Sequence, residues 1–310
     1  VSARGLLDRA GALAGLVLVA LVFGLLLGPQ FFSPVNLELI LRQTAIVSTA
    51  ALGMTMIIAA GGIDLSVGSM IALTTVVIAL LLGGGASPGV AALGAIGAAA
   101  VCGLLNGVLV TTLRIVPFIV TLGTMLIVRG VAKGLAGERR LEAPITWLND
   151  LLRRPDAGLL PSGVWLLAAL ALLVSLLLRY TRFGRHVFAI GSNERMARLC
   201  GVSIDRTKAL VYTLAAALTG VAGLLQFSRL SVGDPTVAVG LELNVIAAVV
   251  IGGGSLLGGR GSVSGSLIGS TIMTVIQIGC SQLGLANWVQ EIVTGGIIIT
   301  AVALDRVRHR

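Results

Sequence analysis

The chain has 310 residues, of which 56% are hydrophobic and 11% charged, and its formal net charge is +9. A soluble domain carries about 25% charged residues, so this composition excludes a water-soluble globule for most of the sequence. The positive charge lies mainly between and beyond apolar runs, which ties it to membrane topology rather than to nucleic acid.

The first apolar run extends from Ala10 to about Leu27, behind Arg4 and Arg9. No A-x-A cleavage pattern closes it, and Gly28, Pro29 and Gln30 follow. It is expected to be a retained span, not a signal peptide. Further runs of spanning length lie at about 40–60, 63–82, 89–111, 115–132, 164–179, 209–228, 239–257, 262–280 and 287–304. In hydrocarbon every backbone N–H and C=O must be satisfied within the element, which leaves helices or closed barrels. Long runs without strict alternation argue against a barrel. The expected fold class is therefore all-α: a polytopic membrane helical bundle of about ten transmembrane helices.

Glycine is frequent, 42 of the residues, and aromatic content is only 4%. Pairs at four-residue spacing (Gly24 and Gly28, Gly103 and Gly107, Gly254 and Gly258, then Gly261, Gly265 and Gly269) predict close helix packing.

The junction from Ala60 to Ser69 holds two adjacent glycines, Asp64, Ser66 and Ser69 between two apolar runs. It predicts a broken helix or tight turn. Asp64 could cap the following helix through the N–H of Ser66 or Val67. It could equally contribute to a polar solute path, since a carboxylate at membrane depth costs roughly 2.5–3.5 kcal/mol and rarely lacks a purpose. The two readings are compatible.

Lys and Arg placement orients the chain. Segment 133–163 carries five bases and four acids, whereas 179–208 carries seven bases and two acids. That asymmetry puts 180–208 and both termini in the cytoplasm and makes 133–163 an external loop. Pro144, Trp147, Pro155, Pro161 and Trp165 point to an ordered lid with interfacial aromatics, a merely structural cap being an equal reading.

Within 179–208 lies a short amphipathic insert, 192–201. Ser192 or Asn193 is a plausible N-cap, Glu194 sits in the first turn and Gly201 is a natural stop. Met196, Leu199 and Cys200 recur at helical spacing, with Arg195 and Arg198 on the polar face. One short helix cannot stabilise itself in water, so it requires lipid or a groove on another protein.

The Gly-rich stretch 251–265 lacks the G-x-x-x-x-G-K-[ST] pattern of a phosphate loop, because Gly261 follows Arg260. It is expected to be a tight cytoplasmic turn between packed helices and not an ATP site. Polar side chains within the spans are Asn106, Gln226, Glu242, Asn244, Gln277 and Glu291. Each is an interhelical hydrogen bond or a contact for a hydroxyl-rich solute, and Glu242 and Glu291 are also placed to face water at span ends. Cys102, Cys200 and Cys280 have no metal-ligand spacing, and His186 and His309 lie in basic segments, so no metal site, cofactor or catalytic residue is expected. Ser264 has no histidine partner in any span, which disfavours an intramembrane hydrolase.

Three separate motifs resemble the permeases of the ribose/xylose/galactose class of bacterial ABC importers. Gly62 to Gly68 resembles their second-to-third span junction. Phe183 to Glu194, with Arg198 to Val202, resembles their cytoplasmic coupling loop. Arg229 to Ser231, Asp234 to Thr236, Gly240 to Leu243 and Ile246 to Gly253 resemble the region around their eighth span, which Gly258 to Gly261 continues. The resemblance runs end to end and implies a single transmembrane permease domain over 1–310 in the bacterial inner membrane. It further implies a cytoplasmic ABC ATPase subunit, a periplasmic or lipid-anchored sugar-binding protein, and a second permease copy or homologue as partners, besides membrane lipid. By position, Gly191, Ser192, Asn193, Glu194, Ala197, Arg198 and Gly201 fall on the coupling segment. Asp64, Ser66, Asn106, Glu242 and Asn244 are candidates for the translocation path. The competing class is an ion-coupled secondary transporter using Asp64 or Glu242; the basic mid-chain insert has no role there.

Overall fold

The computed structural model describes residues 3–153 and 160–308. Pro155, His309 and Arg310 lie outside the described residues. The helices are α1 (Ala3–Leu27), α2 (Pro34–Ala59), α3 (Val67–Gly83), α4 (Pro88–Thr112), α5 (Pro117–Ala136), α6 (Ser162–Tyr180), α7 (Arg182–Ser192), α8 (Glu194–Leu199), α9 (Ile204–Leu230), α10 (Leu241–Ile251), α11 (Val263–Gln282) and α12 (Asn287–Arg308). Two short strands, β1 (Leu141–Glu142) and β2 (Val232–Gly233), pair antiparallel. Proline at the first position starts α2, α4 and α5, where its missing N–H costs nothing.

A helix occupies each of the ten apolar segments. Six of them, α2, α4, α5, α6, α9 and α11, are long and apolar enough to cross a membrane, while α3 and α10 are shorter apolar helices. This is a helical membrane protein with its solvent relations inverted. The outer faces carry large branched side chains, such as Leu93, Leu105, Ile127 and Leu172, all exposed. The interior is built on α2 and α9, where Ala45, Ala50, Ala51, Ala215 and Ala222 are buried. Small residues let these backbones approach: a Cβ added at Gly103 or Gly107 of α4 would fall 2.4 Å from the Tyr212 carbonyl oxygen or 2.7 Å from the Ala209 Cα of α9. Gly265 and Gly269 seat α11 on α10 in the same way. Gly254 and Gly258, expected to pack helices, instead belong to the turn between α10 and α11.

Two sequence expectations need correction. The run 239–257 is not one helix. Residues 234–240 are non-helical, and α10 has only 11 residues, about 16 Å, or half of a ~30 Å hydrocarbon core. The insert 192–201 is not one helix either. Helix α7 runs through Ser192, the backbone breaks at Asn193 (φ −159°), and α8 follows.

The loops gather at two ends. At one end the turns after α2, α7 and α10 meet, and Gly259 donates its N–H to the Ala59 carbonyl at 3.0 Å. At the other, β1 in the segment after α5 pairs with β2 after α9. Its described residues form a cap: Leu148 and Leu152 are buried, and the Leu152 N–H donates to Ser228 Oγ at 3.0 Å. Trp147 in this segment and Trp165 in the first turn of α6 are both exposed.

Candidate functional site

The predicted break at 60–66 is a built structure. Helix α2 ends in a Schellman turn, with Gly61 (φ 78°) and Gly62 donating to the carbonyls of Ile58 and Ile57. Asp64, 1% exposed, accepts the Ser66 N–H at 2.8 Å and the Ser66 hydroxyl at 2.5 Å. This is the expected bond to Ser66, although Ser66 itself is the residue that precedes α3. Ser66 Oγ accepts from Asn106 Nδ2 at 3.1 Å, and Asn106 Oδ1 accepts from Thr124 at 2.5 Å. Three of the five path candidates, Asp64, Ser66 and Asn106, thus form one buried chain that ties α3 to α4 and α5.

The other two, Glu242 and Asn244, lie at the start of α10. Glu242 is buried, 9% exposed, not facing water as one reading had it; Glu291 is the exposed one. Glu242 Oε1 accepts the Gly240 N–H at 3.2 Å, while Oε2 is buried without a partner. Asn244 is only partly buried.

At the end where the turns after α2, α7 and α10 meet, Asn193 caps α8 by accepting the Met196 N–H at 3.0 Å, which settles the choice between Ser192 and Asn193. A Schellman turn closes α8: Gly201 (φ 80°) donates to Arg198 and Val202 to Ala197. Ala197 packs with Ile190 and Ile204, so α8 is anchored by one small side chain. Met196, Leu199 and Cys200 remain exposed, with Leu199 at 81%. Glu194 accepts from Lys208 Nζ at 2.7 Å and lies 3.6 Å from Arg198. Behind α8, Gly191 touches both Ala59 and Gly259: a Cβ there would meet the Ala59 carbonyl oxygen at 1.9 Å and the Gly259 nitrogen at 2.5 Å. The coupling candidates Gly191 to Gly201 therefore form one unit, whose base is wedged between the turns after α2 and α10.

The Lys208 hydrogen bond, followed by the charges of Lys208 and Arg198, holds the Glu194 carboxyl below the usual carboxylate range. A depressed folded pKa contributes stability above the unfolded value, and that contribution is lost as pH falls through the folded one. Amide-exchange protection of residues 194–208 is expected to be flat from pH 7 to about pH 5 and to drop below about pH 4, the ordinary carboxylate range. A Glu194→Gln variant should remove that drop.

Sequence reasoning missed Arg129, although a charged residue inside the apolar run 115–132 was the available signal. Its Nη1 donates to the carbonyls of Pro235 at 3.0 Å and Val237 at 2.7 Å. It also missed the Arg140–Asp234 pair at 2.9 Å, which joins the cap to the segment before α10, and the part-buried Arg229–Gln43 bond. Among the described residues no cluster could hold a metal ion.

Fold and site define a polytopic helical membrane protein with a short, exposed amphipathic helix at one end. A family described as the branched-chain amino acid transport system / permease component matches residues 36–302. The ribose import permease of Escherichia coli K12 is 38% identical over 98% of this chain and 95% of its own. That of Bacillus subtilis 168 is 37% identical (97% and 94%), and the L-arabinose ABC transporter permease of Azospirillum brasilense is 36% identical (96% and 88%). No solved structure gave a significant match. The chain belongs to this family of ABC transport permeases.

Proposed function

We propose that the chain is the permease subunit of an ATP-driven importer that moves a monosaccharide across the bacterial inner (plasma) membrane. The observation that carries this reading is near-full-length identity to permeases named for ribose and L-arabinose; a fructose import permease of Rhizobium meliloti is also similar, 34% identical. The family description names branched-chain amino acids, but the full-length relatives are the more specific guide.

The chain crosses the membrane ten times with both termini in the cytoplasm. Support comes from the loops: the turns after α2, α7 and α10, which an even–odd count puts on the inner side, converge, while the segments after α5 and α9 pair at the other end. Residues 180–208 face a cytoplasmic ABC ATPase that docks on Met196, Leu199 and their neighbours in α8. The cap 133–163 meets a periplasmic or lipid-anchored sugar-binding protein, and a second permease copy or homologue completes the path. ATP closes the ATPase pair, and α8 moves the junction at Ala59, Gly191 and Gly259. The lever shifts the inward–outward equilibrium only by its differential contacts in the two states. Asp64, Ser66 and Asn106 stiffen the wall of the path, and Glu242 and Asn244 line it.

Reconstitution with the ATPase and binding protein tests this. The expected result is ATP-dependent uptake of ribose, arabinose or fructose that collapses without ATP and survives dissipation of ion gradients. Uptake that persists without ATP and collapses with a sodium or proton gradient would establish the ion-coupled alternative instead.

A further inference from the structure

The segment before α10 descends into the protein. A Cβ at Gly233 would meet Ala79 and Thr75 of α3, whereas Ala238 lies against Gly68, near the beginning of that helix. At 1.5 Å per residue, Ala79 and Gly68 are roughly 16 Å apart along α3. The chain between β2 and α10 therefore descends about half the depth of the core as non-helical backbone, and the half-length helix α10 continues to the end where the turn after α2 lies. Non-helical backbone at such depth is tolerated only where protein buries it or it borders a polar cavity. Here Thr75 holds the Asp234 backbone, and Arg129 holds the carbonyls of Pro235 and Val237.

The start of α10 contains a group that these contacts do not use. Glu242 is nine-tenths buried, and its Oε2 has no hydrogen-bond partner. Room for that oxygen exists because residue 68 is glycine; a Cβ there would lie 2.4 Å from it. Arg129 and Glu242 interact electrostatically across this region, yet among the described residues they form no ion pair. Next to them Val239 is 75% exposed and Leu243 47% exposed, so the pair lies one side chain beneath the protein surface. An orphaned carboxylate oxygen in a buried site demands an explanation, and a guanidinium held apart from a carboxylate supplies one. A sugar hydroxyl can both donate to such a carboxylate oxygen and accept from such a guanidinium.

We propose that Arg129 and Glu242, brought together by the non-helical segment 232–240, are the contact pair for the hydroxyls of the passing sugar. The proposal rests on the importer reading above and names the residues at which that solute is held. Low aromatic content fits a transit site without ring stacking, one that grips weakly and releases.

The test uses the complete importer in proteoliposomes with labelled ribose, arabinose and fructose as probes. Glu242→Gln and Arg129→Lys are each expected to leave binding-protein-stimulated ATP hydrolysis within about twofold of the parent and to lower the sugar delivered per ATP about tenfold or more, the scale of a buried bond to a charged group. Unchanged sugar per ATP would overturn the proposal, and so would a parallel fall in ATP hydrolysis and uptake, which would make the pair a structural clamp. Should the glutamine variant not insert, Glu242→Asp keeps the charge and withdraws it by one methylene, and the same ratio decides. Failure of the unmodified importer to take up any of the three sugars with ATP counts against the importer reading itself, a separate result.

Discussion

Gly191→Ala is expected to reduce binding-protein-stimulated ATP hydrolysis and uptake by about tenfold or more. Its Cβ would stand 1.9 Å from the Ala59 carbonyl oxygen and 2.5 Å from the Gly259 backbone nitrogen. Neither atom belongs to a flexible side chain, so the three turns must separate. Overpacking of this kind costs about 1–3 kcal/mol where repacking is possible, and more where only backbone can yield. The Gly259 to Ala59 hydrogen bond is the first casualty, since the intruding carbon lies between its two ends. Gly201→Val is the control. Gly201, unlike Gly191, has a positive φ, 80°, and nothing lies within 4 Å of its added Cβ. Only the left-handed conformation is penalised, about 1–2 kcal/mol, and α8 frays at its last turn while its base stays seated. Stimulated ATP hydrolysis in proteoliposomes should fall several-fold for Gly201→Val and further for Gly191→Ala. The reverse order would mean that the end of α8, and not the three-turn junction, carries the motion.

Much of this architecture was legible in the sequence because lipid imposes a simple rule on backbone groups. Each apolar run of spanning length holds a helix, six of them long and apolar enough to cross a membrane, and Gly61, Gly62 and Asp64 marked a break that the structure contains. Glycine spacing predicted close packing, which Gly103 and Gly107 make against α9 and Gly269 against α10, although the spacing did not name those partners. Hydropathy failed at 239–257, because an extended segment buried at depth needs the same apolar side chains as a helix; Val237, Ala238 and Val239 read as span although they belong to the descent. The exposed Met196 and Leu199 were visible as apolar positions, but periodicity alone did not say whether they faced the core. Arg129 and Asp234 escaped because their partners, two backbone carbonyls and a side chain in the distant cap, lie far off in sequence.

Asp64→Ala is expected to lower stability by about 2–4 kcal/mol, and Asp64→Asn by much less. Asp64 accepts two hydrogen bonds from Ser66, and bonds to a charged acceptor contribute about 1.5–3 kcal/mol each before the cost of burying the charge is set against them. Alanine leaves the Ser66 N–H buried without an acceptor, a penalty of about 1–3 kcal/mol on its own. The loss then propagates. Ser66 Oγ–H must find another acceptor, and its reorientation disturbs Asn106, which joins α4 to α5 through Thr124. Asparagine keeps an acceptor oxygen at the Oδ1 position, so both Ser66 donors stay satisfied and the chain to Thr124 survives. Thermal unfolding of detergent-solubilised protein, followed by monodisperse fraction on size exclusion, should therefore rank the parent and Asp64→Asn close together and Asp64→Ala well below. ATP-dependent uptake should follow the same order, because a wall that stiffens the path has to hold its shape and has no need of a charge. If Asp64→Asn were as stable as the parent but inactive, the negative charge itself would be required in transport. Asp64 would then belong to an ion-coupling or solute site and not to the wall.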